Sequence, residues 1–377
     1  MKIRVAGTGL TKFGELWDKD LLDLALQASY EAINDSRLSI NQIDAVFAAN
    51  MIYGKLTNQD HLGALIASSL GIRGASFRVE AACASGGIAI HLAIQSLLAN
   101  TYKNVLVVGA EKMTDAQASQ ITYALMGAGS EQEKRAGLTF PALYALMAKA
   151  HMQKFGTKRS HLAHVSIKNH YHASFNDKAQ FPFEVSMEKV LASPVISSPF
   201  TLFDASPITD GAAAVVLSSD STTPAVCITG SAVATDTVDL SSRKSLTEIA
   251  ATKEASQKAL KQAGIEIKDI KVAEVHDCFT IAEIMAMEDL GFCKKGDGGE
   301  FILKGHTRLG GKMPVNTSGG LKACGHPVAA TGVKQIIEIA HQLQGRAGKR
   351  QVKGATVGLT QNVGGTGATV AVHVLQI

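Results

Sequence analysis

Residues 28–43 read ASYEAINDSRLSINQI, and residues 255–270 read ASQKALKQAGIEIKDI. Ala28, Ala32, Leu38, Ile40 and Ile43 of the first stretch return as Ala255, Ala259, Ile265, Ile267 and Ile270 of the second, each 227 residues later. A shared apolar register across a helix and its exit toward a strand predicts two similar α/β halves, although helical periodicity alone produces some such matches. A second echo supports the first. Cys83 and His326 each precede a helical pattern, Ile88 to Leu98 and Val328 to Leu343. Pro327 favours a helix start there, and Gly345 suits its end.

Outward from these stretches, strand and helix patterns alternate. Ile3 to Ala6, Ala45 to Ala48, Val105 to Val108, Ala212 to Leu217 and Val272 to Val275 are short apolar runs, as buried strands require. Leu21, Leu24, Ala25, Ala28 and Ala32 fall on one helix face. Gly354 to Thr360 and Thr369 to Leu375 flank the segment NVGGTG at 362–367, which reads as an antiparallel pair with a Gly-rich turn. Residues from about Asp115 to Ser206 fit neither half. They hold a charged loop at Glu131–Arg135, a helix from Pro141 to Lys154, and His161, His164, His170 and His172. His164, Lys168 and Tyr171 would share one helix face. No metal is expected from this run, because no H-E-x-x-H or suitably spaced carboxylate accompanies it. The expected division is 1–114 with 207–222 as a first half, 115–206 as an inserted loop or lid domain, and 223–377 as a second half.

Composition narrows the function. Hydrophobic residues make up 46% of the 377 and charged ones 19%, an ordinary globular balance. The formal charge of +4 comes without a Lys/Arg block, which argues against nucleic-acid binding. Cys83, Cys227, Cys278, Cys293 and Cys324 are too few and too scattered for a disulfide framework, so the thiols are expected to be reduced and available. No targeting segment and no span of ~20 apolar residues is evident. The expected location is cytoplasmic.

Three segments can carry chemistry. Cys83, in VEAACASGG, lies at a turn between an extended segment and a helix, where N–H groups and the dipole favour thiolate over thiol. By itself such a cysteine can equally be a buried filler. His276-Asp277-Cys278-Phe279 closes an apolar strand and opens a helix, the place where α/β folds present ligand-facing groups. A capping Asp beside an incidental Cys is the plainer reading. A thiol beside His276 is also expected to titrate near the working pH. In NTSGGLKACGHP at 316–327, paired glycines hold backbone close to something, and His326 stands where imidazole can pair with a thiolate. Asn362-Val363-Gly364-Gly365 offers backbone N–H groups to an oxyanion, or is simply a β-turn.

Together these segments resemble the thiolase superfamily across nearly the whole chain. The markers come in order: A-C-A-S-G-G at Cys83, E-K-M at Glu111, S-P-I-T-D-G-A-A-A at Ser206, H-D-C-F at His276, and S-G-G…G-H-P at His326. The Gly-rich hairpin closes the series. Within the superfamily the chain is most similar to sterol-carrier-protein-type and archaeal acetoacetyl-CoA thiolases, which have H-D-C-F in place of N-E-A-F. They also lack a C-terminal catalytic cysteine, and here Asn362 stands at that place.

The resemblance implies a thiolase fold of class α/β, with two βαβαβαββ halves in a five-layered αβαβα arrangement and an inserted loop domain. It implies reversible Claisen condensation and thiolytic cleavage of 3-ketoacyl-CoA through an acyl-cysteine. Cys83 would carry the acyl group and His326 would activate it. His276 and His326 would hold the thioester oxygen of the enolate, and Cys278 would move the proton. The N–H groups of Cys83 and Gly364 would form a second oxyanion hole. Coenzyme A and acetyl-CoA enter as substrates, with no permanently bound cofactor. A homodimer or homotetramer is expected. Archaeal-type relatives also assemble with a small zinc-ribbon/OB-fold protein and with 3-hydroxy-3-methylglutaryl-CoA synthase. The rivals are a decarboxylating 3-ketoacyl synthase of the same superfamily, for which Cys278 would have no task, and a non-catalytic scaffold of the same fold.

Overall fold

The computed structural model describes residues 2–220 and 226–377. The expected junction between the halves, at residues 222 and 223, lies outside the described residues. The strands are β1 (Ile3–Leu10), β2 (Ala45–Ala49), β3 (Ala75–Val79), β4 (Asn104–Glu111), β5 (Val195–Ser197), β6 (Phe200–Thr201), β7 (Gly211–Ser218), β8 (Cys227–Thr235), β9 (Val272–Glu274), β10 (Val357–Gly364) and β11 (Thr369–Gln376). Nine of them join in the order β3-β2-β4-β7-β1-β8-β11-β10-β9, while β5 and β6 form a separate hairpin. β1 meets β8 only through Ile3–Ile228 and Arg4–Cys227, so a five-stranded and a four-stranded sheet touch at one corner.

Both sheets are covered on both faces, which is why their strands read as continuous apolar runs. Helices Leu21–Ser36 and Leu62–Leu70 pack on Val46, Ala48, Leu106, Ala214 and Val216. Helices Ser85–Leu98 and Ala330–Leu343 fill the centre, against Phe47, Val107 and Val215 on one side and Ile228, Val272 and Leu375 on the other. Ala250–Ala263 and Thr280–Asp289 cover the far face with Ala232, Leu359 and Val372. The layers therefore run αβαβα.

The register of 227 extends beyond the apolar positions. It relates the 3-10 turns Ile40–Gln42 and Ile267–Asp269, and the first residues of β2 and β9. It also relates Arg37 (φ 61) and Gly264 (φ 70), the left-handed residues that end the two equivalent helices. The halves differ in one respect. The third strand of the first half, β3, has as its counterpart only a single parallel bridge between Val315 and Ala273.

Three local expectations need correction. Glu131–Arg135 is a helical turn rather than a loop, because Ser130 accepts the Glu133 N–H and the Glu133 carboxylate accepts the Ser130 N–H. β10 begins at Val357 and runs through Asn362 to Gly364, so the turn is confined to the residues after it. The second central helix starts at Ala330, with Pro327 in the preceding turn.

Close approach of the two central helices positions the site. A Cβ on Gly332 would lie 2.3 Å from the Gly87 nitrogen, and one on Gly86 would lie 2.5 Å from the Ala329 oxygen. Only glycine lets these helix starts meet. Cys83 and His326 precede those two starts, and they are carried together with them.

Candidate active site

Cys83 sits in the short turn between β3 and the helix Ser85–Leu98. The Ala81 N–H donates to Ser85 Oγ at 2.9 Å, and that hydroxyl donates to the Ala82 carbonyl at 2.6 Å. Ala82 is held at φ 53, a left-handed backbone that a non-glycine residue adopts at a cost of order 1 kcal/mol. The tight turn directs the next side chain, Cys83, into a cavity of ≈ 200 Å³. Met113, Met126, Phe140, Tyr144 and Phe279 supply its apolar wall, and Cys278 and His326 open into it as well.

The Cys83 sulfur and one nitrogen each of His276 and His326 lie within 4.8 Å of one another. The two rings meet edge to face. His326 is held at its backbone by Thr209 Oγ1 (2.9 Å) and at Nδ1 by Thr331 Oγ1 (2.7 Å). His276 receives the Asn362 amide at Nδ1 (3.2 Å), and its backbone N–H donates to Gln361 Oε1 (3.0 Å). His276 Nε2 is buried and has no hydrogen-bond partner among the described residues. A buried orphan of this kind costs about 1–3 kcal/mol, so it marks a place where a ligand atom completes the bonding.

Burial reverses the expected electrostatics of the thiols. Cys83 is pushed up to about 12 by desolvation, partly offset by the Gly365 N–H that points at its sulfur. Cys278 is driven higher still by its burial, with a Tyr144 hydroxyl contact opposing the shift. The helix-start field is too weak against that desolvation, so neither cysteine rests as thiolate and Cys278 does not titrate near neutrality. Desolvation, aided by Lys334, lowers His326 to about 3, and burial, aided by His326, lowers His276 well below its ordinary range. At rest the site holds two thiols and two neutral imidazoles.

The Gly365 N–H faces the Cys83 sulfur, one residue beyond Gly364, the expected oxyanion donor. Gly364 is the last residue of β10, paired with Thr369, and Gly365 at φ +61 turns the chain toward the sulfur. The four histidines of the run all bond to protein. His164 meets the Ser160 carbonyl, His170 that of Phe183 and His172 that of Asn316, while His161 lies 3.2 Å from Glu300. Lys168 is buried against Glu283 and the Val315 carbonyl.

Comparison with known proteins bears on this arrangement. Residues 3–221 match the family described as "Thiolase, N-terminal domain", and residues 232–377 match "Thiolase C-terminal domain-like". The chain belongs to the thiolase family. It is 46% identical over 379 residues to the acetyl-CoA acetyltransferase of Methanothermobacter thermautotrophicus, covering 99% of this chain and 98% of that protein. It is 33% identical over 392 residues to human sterol carrier protein 2, covering 98% of this chain and 71% of that protein. The solved structure titled "Ltp2-ChsH2(DUF35) aldolase" superposes with a TM-score of 0.85 at 24% identity, over 100% of this chain and 97% of that one. This thiolase is an acyltransferase with the αβαβα fold.

Several residues organise this thiolase's site through partners that its sequence does not reveal, although Glu111, Asp210 and Asp277 stand inside the markers themselves. Asp277 accepts the N–H groups of Leu321 (2.7 Å) and Lys322 (3.2 Å), tying the H-D-C-F segment to the loop that leads to His326. Glu111 accepts N–H groups from Met51, Ile52 and Ala329, and so joins the end of β2 to the second central helix. Asp210 takes the Lys112 ammonium at 2.8 Å and the Met113 N–H at 2.7 Å, joining the second and third sequence markers. Tyr144 donates to the Gly365 carbonyl at 3.0 Å and reaches Cys278. A polar side chain that bonds so far along the chain is visible only once the fold is known.

Proposed function

We propose that this thiolase interconverts acetoacetyl-CoA and acetyl-CoA. The observation that carries the reading is the cluster of the Cys83 sulfur with one ring nitrogen each of His276 and His326, within 4.8 Å of one another. In that cluster the buried Nε2 of His276 has no hydrogen-bond partner among the described residues. In the cleavage direction the Cys83 sulfur attacks the ketone carbon while His326 takes its proton. The N–H groups of Cys83 and Gly365 hold the resulting oxyanion. The bond between C2 and C3 breaks, leaving acetyl on Cys83 and an acetyl-CoA enolate. Its oxygen is held by His276 and His326, each donor contributing on the order of 3 kcal/mol. The Cys278 thiol protonates the enolate carbon. Incoming CoA gives its proton to the Cys278 thiolate and takes the acetyl group, and Cys83 recovers its proton from His326. Condensation runs the same steps backwards.

A high thiol pKa suits Cys278 in this role. Its S–H is no stray acid at rest, and once formed its thiolate is basic enough to remove an α-proton. A second thiol inside the cavity has no task in decarboxylation, which favours this reading over the ketoacyl synthase. Residues 115–206 act as the lid that supplies the cavity wall. The assembly is a homo-oligomer, open to a zinc-ribbon/OB-fold partner of the kind the family resemblance implies. No helix of the described residues is long and apolar enough to cross a membrane.

The direct test is to incubate the pure chain with acetoacetyl-CoA plus CoA, and separately with malonyl-CoA plus acetyl-CoA. Acetyl-CoA production in the first supports the proposal. Release of CO₂ in the second, with none of the first activity, overturns it.

A further inference from the structure

Asn362 stands where the sequence lacks a second catalytic cysteine of the thiolase type, and its amide is fully committed. Oδ1 accepts the Gly87 N–H at 3.0 Å. Nδ2 donates to the Cys83 carbonyl at 3.0 Å and faces His276 Nδ1 at 3.2 Å. We propose that Asn362 is a positioning residue that fixes the tautomer of His276, keeping a hydrogen on Nε2 and aimed at the reacting thioester oxygen. The inference rests on the thiolase reading of the site.

Two backbone groups settle the orientation of the amide. The Gly87 nitrogen can only donate and the Cys83 carbonyl can only accept. Turning the amide over would set two donors against each other at Gly87 and two acceptors against each other at Cys83. The group facing His276 Nδ1 is therefore an N–H, and Nδ1 must accept it. A neutral imidazole that accepts at Nδ1 carries its hydrogen on Nε2. That hydrogen belongs to a buried ring nitrogen that has no hydrogen-bond partner among the described residues.

His326 has a different kind of support. Its Nδ1 faces the Thr331 hydroxyl at 2.7 Å, and that hydroxyl also reaches the Pro327 carbonyl at 3.3 Å. A hydroxyl both donates and accepts, so rotation of one O–H serves either tautomer. His326 can take a proton from Cys83 in one step and donate a hydrogen bond in the next. His276 is a fixed donor, and the two similar rings are divided by their supports into a fixed and an exchanging partner.

The fixed tautomer has a second consequence. The spacing of Cys83, His276 and His326 would also suit a thiophilic divalent cation. With Nδ1 taken by the Asn362 amide, such a cation needs the lone pair of His276 Nε2, and the same amide denies it by keeping the hydrogen there. Asn362→Asp, nearly isosteric, would place a carboxylate at Nδ1. The hydrogen would then move to Nδ1, and carboxylate, imidazole and thiolate would together form a cation site.

The experiment uses histidine-labelled protein and long-range proton–nitrogen correlation spectra, with His276 assigned by its loss in His276→Gln. The wild-type ring is expected to carry its hydrogen on Nε2, a readout independent of activity. In Asn362→Asp the hydrogen is expected on Nδ1, Zn²⁺ affinity should rise on the order of 10–100-fold in a chelator competition, and condensation should fall ~10²–10³-fold. A wild-type ring protonated on Nδ1 overturns the inference. So does a variant with wild-type tautomer, zinc affinity and condensation rate. The wild-type acetoacetyl-CoA assay, run alongside, judges the functional reading separately from the tautomer.

Discussion

The rings of His276 and His326 stand edge to face, with centroids 5.2 Å apart and planes at 84°. Both are buried, and His326 contributes to holding His276 neutral. When His326 takes the Cys83 proton, its charge therefore disfavours a second cation next door. One ring is left as a neutral donor while the other exchanges protons, which is the division of labour that enolate formation requires.

His276→Ala separates the two half-reactions. Loss of one donor to the enolate oxygen is expected to slow condensation ~10²–10³-fold. Acetylation of Cys83 by acetyl-CoA, followed by mass spectrometry of the intact protein, should proceed within a few-fold of wild type. Equal loss in both steps would show that His276 serves the nucleophile instead.

The pH dependence of Cys83 follows from its raised pKa. Its thiol is pushed from the ordinary 9.0 up to about 12, chiefly by burial, so the thiolate is a minor species from pH 6 to pH 10. Alkylation by iodoacetamide should then rise about tenfold per pH unit across that range, without a plateau. His326, lowered to about 3, stays neutral throughout and adds no acid limb. A plateau below pH 9 would mean a thiolate–imidazolium pair already formed at rest.

Gly320→Ala probes the joint between the two catalytic segments. An added Cβ would lie 2.3 Å from Asp277 Oδ2, at a residue whose φ is +60. Asp277 cannot give way without losing the Leu321 and Lys322 N–H groups and the Asn169 amide. The variant should lose ~2–4 kcal/mol of stability in denaturant titration. A midpoint within error of wild type would show that the joint is pliable.

The sequence carried the repeat legibly because burial on one helix face leaves a spacing of three and four. The same offset reappears in the 3-10 turns and in the residues at Arg37 and Gly264. The missing third strand of the second half left no trace, since a single bridge at Val315 imposes no alternation. Cys83 and His326 were visible as residues before helix starts, but the direction of the thiol shifts was not. A helix dipole can be read from sequence, whereas desolvation depends on the walls that Tyr144 and Phe279 bring from distant segments. Asn362 was legible only as an absent cysteine. Its partners, Gly87 and Cys83, lie 275 and 279 positions away.

The measurement that bears most directly on the account is α-proton exchange in Cys278→Ala. Cys278 lies in the cavity with Cys83. The proton it would hand to departing CoA during acetylation is dispensable, because a thiolate with a parent pKa of about 8.5 leaves readily, whereas its proton transfer at the α-carbon is not. The variant should still acquire an acetyl group on Cys83 from acetyl-CoA, seen by mass spectrometry. Exchange of the acetyl-CoA methyl protons in deuterated water, and acetoacetyl-CoA formation, should both fall ~10²–10⁴-fold, as loss of a general acid–base group entails. Wild-type exchange and condensation in this variant would contradict the account and return the decarboxylating reading to first place.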